Sequence, residues 1–246
     1  MKLSLIFATA ISSFFVSATA GFGFSGQAHA LTFSGISNGT WGEPTPGSLD
    51  INPLYTGVGS NTFIWGDGNV CPPSLSTSSG CTITGSNELI VNGNSFSTDI
   101  NSAFKIADLT YFNGTVLKGT SVEFVPLNLN VSFRSAVGIS QVFDFNLRLV
   151  NTPNEATDPK INADFVFLDT NFSNRSFIFE GNKYTLELTG FNSDFRQISI
   201  EGLEGTTTKV AIYAKIETIP EPATVAGISL LGIYLISRKK FLEKKY

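Results

Sequence analysis

The chain has 246 residues with 16 basic and 20 acidic side chains, one histidine and two cysteines. The acidic balance argues against a nucleic-acid partner, because binding a phosphate backbone needs a basic surface. His29, the single histidine, falls in the N-terminal segment, so the rest of the chain can build neither a Ser-His-Asp or Cys-His triad nor a His-ligated metal site.

At the N-terminus Lys2 supplies a positive charge, and Leu3 to Phe24 is almost wholly apolar or small. Ala28-His29-Ala30 then offers the small residues that a signal peptidase reads, so cleavage after Ala30 leaves Leu31 as the first mature residue. Ala18-Thr19-Ala20 fits an earlier cut, and an uncleaved anchor is the alternative to both. The expected division is a signal peptide over 1–30, a folded domain over 31–217 and a sorting tail over 218–246. The two ends hold six basic and two acidic residues, which leaves 10 basic against 18 acidic side chains and a net charge near −8 in the domain. A single domain of that length buries a substantial core.

Within the domain, Leu31 to Phe33, Thr62 to Trp65 and Glu88 to Val91 read as short strands. Trp41 to Gly59 holds three prolines and four glycines and reads as a long loop. Cys71 and Cys81 flank a turn-rich stretch, and in an exported chain they are expected to form one disulfide. Two thiolates without further ligands do not make a structural metal site. Asn92-Gly93 and Asn113-Gly114 read as turns, since both residue types tolerate positive φ. Asn101 to Leu109 fits a helix or a strand equally.

Further on the period is two. Leu127, Leu129, Val131 and Phe133 alternate with polar residues, as do Phe143, Phe145, Leu147 and Leu149; such strands turn one face to a core and one to water. Ser176 to Phe179 and Tyr184 to Leu188 form a hairpin around Glu180-Gly181-Asn182-Lys183. Lys209 to Glu217 is the last strand, with Val210, Ile212, Ala214 and Ile216 on one side. Many short strands, turn residues and 22 phenylalanines predict an all-β fold, an antiparallel β-sandwich of jelly-roll type.

Carboxylates are the only abundant reactive groups. The stretches Gly66-Asp67-Gly68-Asn69 and Asn154-Glu155-Ala156-Thr157-Asp158, with Asn162-Ala163-Asp164 after it, are rich in oxygen ligands of the kind calcium takes. They lack the spacing of an EF-hand, and the preferred reading is solvated loops with local Asx turns. No other cofactor is expected, and no catalytic residue is assigned. A pair of carboxylates acting on a glycosidic bond stays open, because sequence spacing does not set their separation.

The tail reads Pro220-Glu221-Pro222, an apolar run from Ala223 to Ile236, then Arg238-Lys239-Lys240 and Lys244-Lys245. The apolar run is expected to be a short hydrophobic helix, shorter than the roughly 20 residues of an ordinary span. Its basic end stays cytoplasmic under the positive-inside rule, which places the domain outside. The tail resembles the PEP-CTERM sorting signal of bacteria. That resemblance implies a signal peptidase and an exosortase-like enzyme as partners, membrane attachment through the tail before processing, and then a cell-surface or matrix location. An ordinary single-span anchor is the alternative.

Trp41, Trp65-Gly66, Asn87-Glu88-Leu89, Leu109-Thr110-Tyr111-Phe112-Asn113-Gly114-Thr115, Gly119-Thr120 and Asn151-Thr152-Pro153-Asn154 together resemble the choice-of-anchor K domain. That family is named for its attachment to different surface-sorting tails. The resemblance spans most of Leu31 to Glu217 and implies surface display, without a reaction. Trp41 and Trp65 read as core or loop anchors in preference to sugar platforms. The expected function is structural, adhesive or in an extracellular polysaccharide matrix. The alternatives are a carbohydrate-binding module or a carboxylate-based polysaccharide-cleaving enzyme.

Overall fold

The computed structural model describes residues 31–68, 84–134, 140–168, 176–192 and 197–219. Ala28, Ala30, Cys71, Cys81, Pro220, Glu221 and Pro222, with the signal segment, the disulfide and the sorting tail they define, lie outside the described residues. Among the described residues there is no helix. The described residues form thirteen strands in two antiparallel sheets. One contains β1 (Thr32–Trp41), β5 (Ser95–Asp99), β7 (Phe124–Phe133), β8 (Ser140–Val150), β9 (Asp164–Leu168) and β12 (Ser199–Gly202), in the order β12-β9-β8-β7-β1-β5. The other contains β2 (Tyr55–Thr56), β3 (Thr62–Trp65), β4 (Asn87–Gly93), β6 (Ala103–Phe112), β10 (Ser176–Phe179), β11 (Asn182–Phe191) and β13 (Thr207–Thr218), in the order β10-β11-β13-β6-β4-β3-β2. The sheets pack face to face as a β-sandwich.

The period-two pattern decides which faces meet. Leu127, Leu129, Val131, Phe133, Phe143, Phe145, Leu147 and Leu149 are all buried, as are Val210, Ile212, Ala214 and Ile216. Pro126 sits inside β7 without breaking it. Its carbonyl accepts from Gly42 N–H at 2.8 Å, so its nitrogen faces chain just past the end of β1, where a ladder donor is not needed.

Aromatic rings fill the space between the sheets. Phe33 of β1 lies within 6.1 Å of Phe133, Phe177, Phe179 and Tyr184, centroid to centroid, and Phe133 stacks on Phe177 at 4.9 Å. A second string runs from Trp41 to Phe63 (6.3 Å), Trp65 (5.6 Å) and Tyr111 (6.1 Å, nearly parallel). Both indoles are buried, as expected for core anchors.

Several local expectations are corrected. Asn92-Gly93 is not a turn: Gly93 pairs with Ala107 inside β4, and the chain leaves that sheet at Asn94. A Cβ on Gly93 would lie 1.8 Å from the Ser37 carbonyl oxygen, so glycine serves close approach of two backbones here. Ser37 fastens that approach: its hydroxyl donates to the Ile106 carbonyl and accepts from Asn94 N–H at 3.0 Å. Gly114 likewise lacks the positive φ of a hairpin turn and lies in irregular chain after β6. The stretch from Trp41 to Gly59 is not all loop, since β1 runs through Trp41 and β2 occupies Tyr55–Thr56. Of Asn101 to Leu109, Ala103 onward is strand within β6, while Asn101, with φ of 63°, and Ser102 precede it in the turn. The turn around Glu180 is two residues, not four: Glu180 and Gly181 have φ of 49° and 81°, and Phe179 pairs with Asn182, the geometry that matches strand twist.

Leu129 and Asn130 test the register. Leu129 is fully buried and Asn130 is exposed. Leu129→Asp is expected to cost more than about 4 kcal/mol and prevent folding. Asn130→Asp keeps an acceptor for Ser140 and should change stability by no more than about 0.5 kcal/mol. Chemical denaturation of the two variants measures this, and equal tolerance would show that the faces are reversed.

Candidate functional site

Polar side chains turn inward at one corner of the sandwich, where β12 leaves the first sheet and the chain crosses to β13 in the second. Gly202, the last residue of β12, pairs with Asp164, the first of β9. A Cβ on Gly202 would meet the Tyr111 ring at 2.5 Å, so the strand end presses directly onto the aromatic string. Asn113, just past β6, ties the crossing down. Its Nδ2 donates to the Gly202 carbonyl at 2.9 Å, its carbonyl accepts from Gly205 N–H at 2.7 Å, and its N–H donates to Thr206 O at 3.1 Å. Glu204 is thereby bracketed by two anchored positions. Its Oε2 accepts from the Thr115 hydroxyl at 2.7 Å.

Asp164 is 2% exposed. Its Oδ1 accepts from Thr152 N–H at 2.7 Å, and the Thr152 hydroxyl lies 3.1 Å from both that oxygen and the Ala163 carbonyl. Burial pushes the Asp164 carboxyl up to about 7; the Thr152 bonds pull it down, and the nearby Glu204 charge pushes it further up. Burial also raises Glu204, against the Thr115 bond and the adjacent Asn154 amide. Tyr111 is raised by burial and by both carboxylates. Among the described residues no lysine or arginine acts on either acid.

The oxygen-rich loop therefore divides. Asp158 Oδ1 accepts from Lys160 N–H, and Asn162 bonds Ala156 in both directions, so these side chains serve the loop's own turns, as Asx turns do. Asn154 and Asp164 face the corner instead. Asp67 and Gly68 are tied to the chain after β6, where Asp67 N–H donates to Thr120 and its carbonyl accepts from Leu117 N–H; Asn69 is outside the described residues. Glu204 and Asn113 belong to the corner without having been expected there. The motif around Asn113 marked a turn, and nothing in the local sequence marked Glu204.

Trp65 stacks on Tyr111, Asn87 Oδ1 accepts from Gly114 N–H at 2.8 Å, Thr115 holds Glu204 and Thr152 holds Asp164. No protein-family model matches the chain, and no curated protein matches it. Among the described residues no group of three or more His, Cys, Asp and Glu is placed to hold a metal, and no helix is long and apolar enough to cross a membrane.

The raised Asp164 carboxyl binds its proton more tightly in the folded chain than in the unfolded one. Its contribution to stability is therefore full below the ordinary aspartate value of 3.8 and lost as pH rises through about 7. Glu204, raised in the same direction, adds to the slope, and Tyr111 faces both. In EDTA, the unfolding free energy should fall by roughly 2–4 kcal/mol across that window on account of Asp164. Asp164→Asn should flatten the decline. Denaturation from pH 4 to pH 8 checks it, and parallel profiles for the two proteins would contradict the assignment.

Proposed function

We propose that this is an exported, surface-sorted protein with a structural, adhesive or extracellular-matrix role, and not an enzyme. The observation that carries the reading is the pair of terminal signals around an acidic domain: Ala28 and Ala30 at one end, Pro220-Glu221-Pro222 with its apolar run and basic terminus at the other. On this reading signal peptidase and an exosortase-like enzyme process the chain. The membrane holds it through the tail beforehand, and extracellular polysaccharide is its surrounding partner.

The sandwich supports display over recognition of sugars by Trp41, Trp65 and Tyr111. All three rings are buried in the core, where they cannot stack on a polymer. Asp164 is likewise enclosed, so a polysaccharide does not reach it without rearrangement of the corner. Weak contact between the polar surface and hydrated polymers fits the proposal; tight binding of a small molecule does not.

Deleting residues 31–217 while keeping both terminal signals should reduce cell aggregation or matrix cohesion. Cohesion unchanged by the deletion would count against the role. Cleavage of a polysaccharide by the purified protein, abolished by Asp164→Asn or Glu204→Gln without unfolding, would replace it with the enzymatic alternative.

A further inference from the structure

The corner between β9 and β13 holds four side-chain oxygens without a hydrogen-bond partner: Asn113 Oδ1, Asn154 Oδ1, Asp164 Oδ2 and Glu204 Oε1. All four are acceptors. Asn113 is fully buried and Asp164 is 2% exposed; Asn154 and Glu204 are half-buried with these oxygens turned away from solvent, and a buried acceptor left bare is costly. The Asn113 amide cannot be turned over to supply a donor, because its Nδ2 is committed to the Gly202 carbonyl; reversal would place oxygen against oxygen. The two acids interact electrostatically without bonding each other, the Asn154 amide bonds Glu204, and among the described residues no basic side chain acts on either acid. Two other unpartnered atoms fall outside this set: Asn87 Nδ2 is a donor, and Thr189 Oγ1 belongs to β11.

We propose that Asp164, Glu204, Asn113 and Asn154 bind a hard divalent cation, calcium, which fastens the β12–β13 crossing to the loop before β9. Two carboxylates and two amide oxygens form an all-oxygen donor set, and calcium takes six to eight oxygens, completing its shell with carbonyls or water. Such a set contains only two of the acid, histidine or cysteine side chains that mark most metal centres, so it fits the absence of larger clusters among the described residues. A bridging water donates only two hydrogen bonds and cannot offset two like charges. The proton is the competing occupant, and it neutralises one acid while leaving the amide oxygens bare. The role is structural: the cation joins residues from four separate stretches of chain. It goes beyond the proposed display function and stands independently of it.

The test uses the full chain in detergent, stripped with EDTA and titrated with calcium chloride by calorimetry and thermal melting. One calcium per chain is expected. With the affinity of extracellular calcium modules, a roughly hundredfold excess over the dissociation constant should raise the melting temperature by about 5–10 °C. Asp164→Asn and Glu204→Gln should each remove the binding and the shift, and both variants should melt at or above the calcium-free parent. Should either variant fail to fold, terbium added to the parent chain decides, with emission excited through Tyr111 and Trp65 and displaced by calcium. Calcium binding that survives in both variants, or a parent chain showing neither heat, shift nor terbium emission, would overturn the proposal. A proton-only corner would appear as that silent result.

Discussion

Everything in the domain is arranged around the apolar space between two antiparallel sheets. That space accepts alternate residues from the central strands, and polar groups are buried at two connections that cross from one sheet to the other. These are the crossings at Gly93-Asn94 and at Gly202–Thr206. At the first, backbone meets backbone and Ser37 satisfies the exposed donors and acceptors. At the second, the space is filled by side chains, and four acceptors are left over. The contrast explains why one crossing is plainly structural and the other is a candidate site.

The aromatic string links core to corner. Trp41, Phe63, Trp65 and Tyr111 are stepwise neighbours, and the last of them faces Asp164 and Glu204. An acid packed against a buried tyrosine has little solvent to sustain its charge, so its ionisation must be balanced by a proton or a cation. The Thr152 and Thr115 bonds stabilise one oxygen of each acid and leave the other turned to the same corner.

Central strands were legible because both neighbours and the opposing sheet constrain them: β7, β8 and β13 alternate cleanly. The strand β1 was recognised only at its start, over Leu31 to Phe33, since Ser34-Gly35-Ile36-Ser37-Asn38-Gly39 carries too few apolar residues to display its period. Its glycines instead give neighbouring side chains room; a Cβ on Gly39 would sit 2.6 Å from Val91. Asn92-Gly93 misled because a turn dipeptide and a close-packed strand glycine look alike in sequence. Asp164 and Asn154 were visible as oxygen-rich positions. Their partners were not, because Asn113 follows β6 in one sheet and Glu204 follows β12 in the other, and the packing of the two sheets that brings them together is not encoded in local spacing.

The proposed display role joins these features: a sandwich whose large aromatic rings are mostly spent on its core, an acidic surface, and a crossing suited to a cation that extracellular fluids supply. Its most direct test is protease shaving of intact cells, with mass spectrometry of the released and retained peptides. The account predicts release of peptides from 31–217 without lysis, a mature N-terminus at Leu31, and no recovered peptide carrying Lys244-Lys245. Peptides of the domain found only after lysis would contradict it.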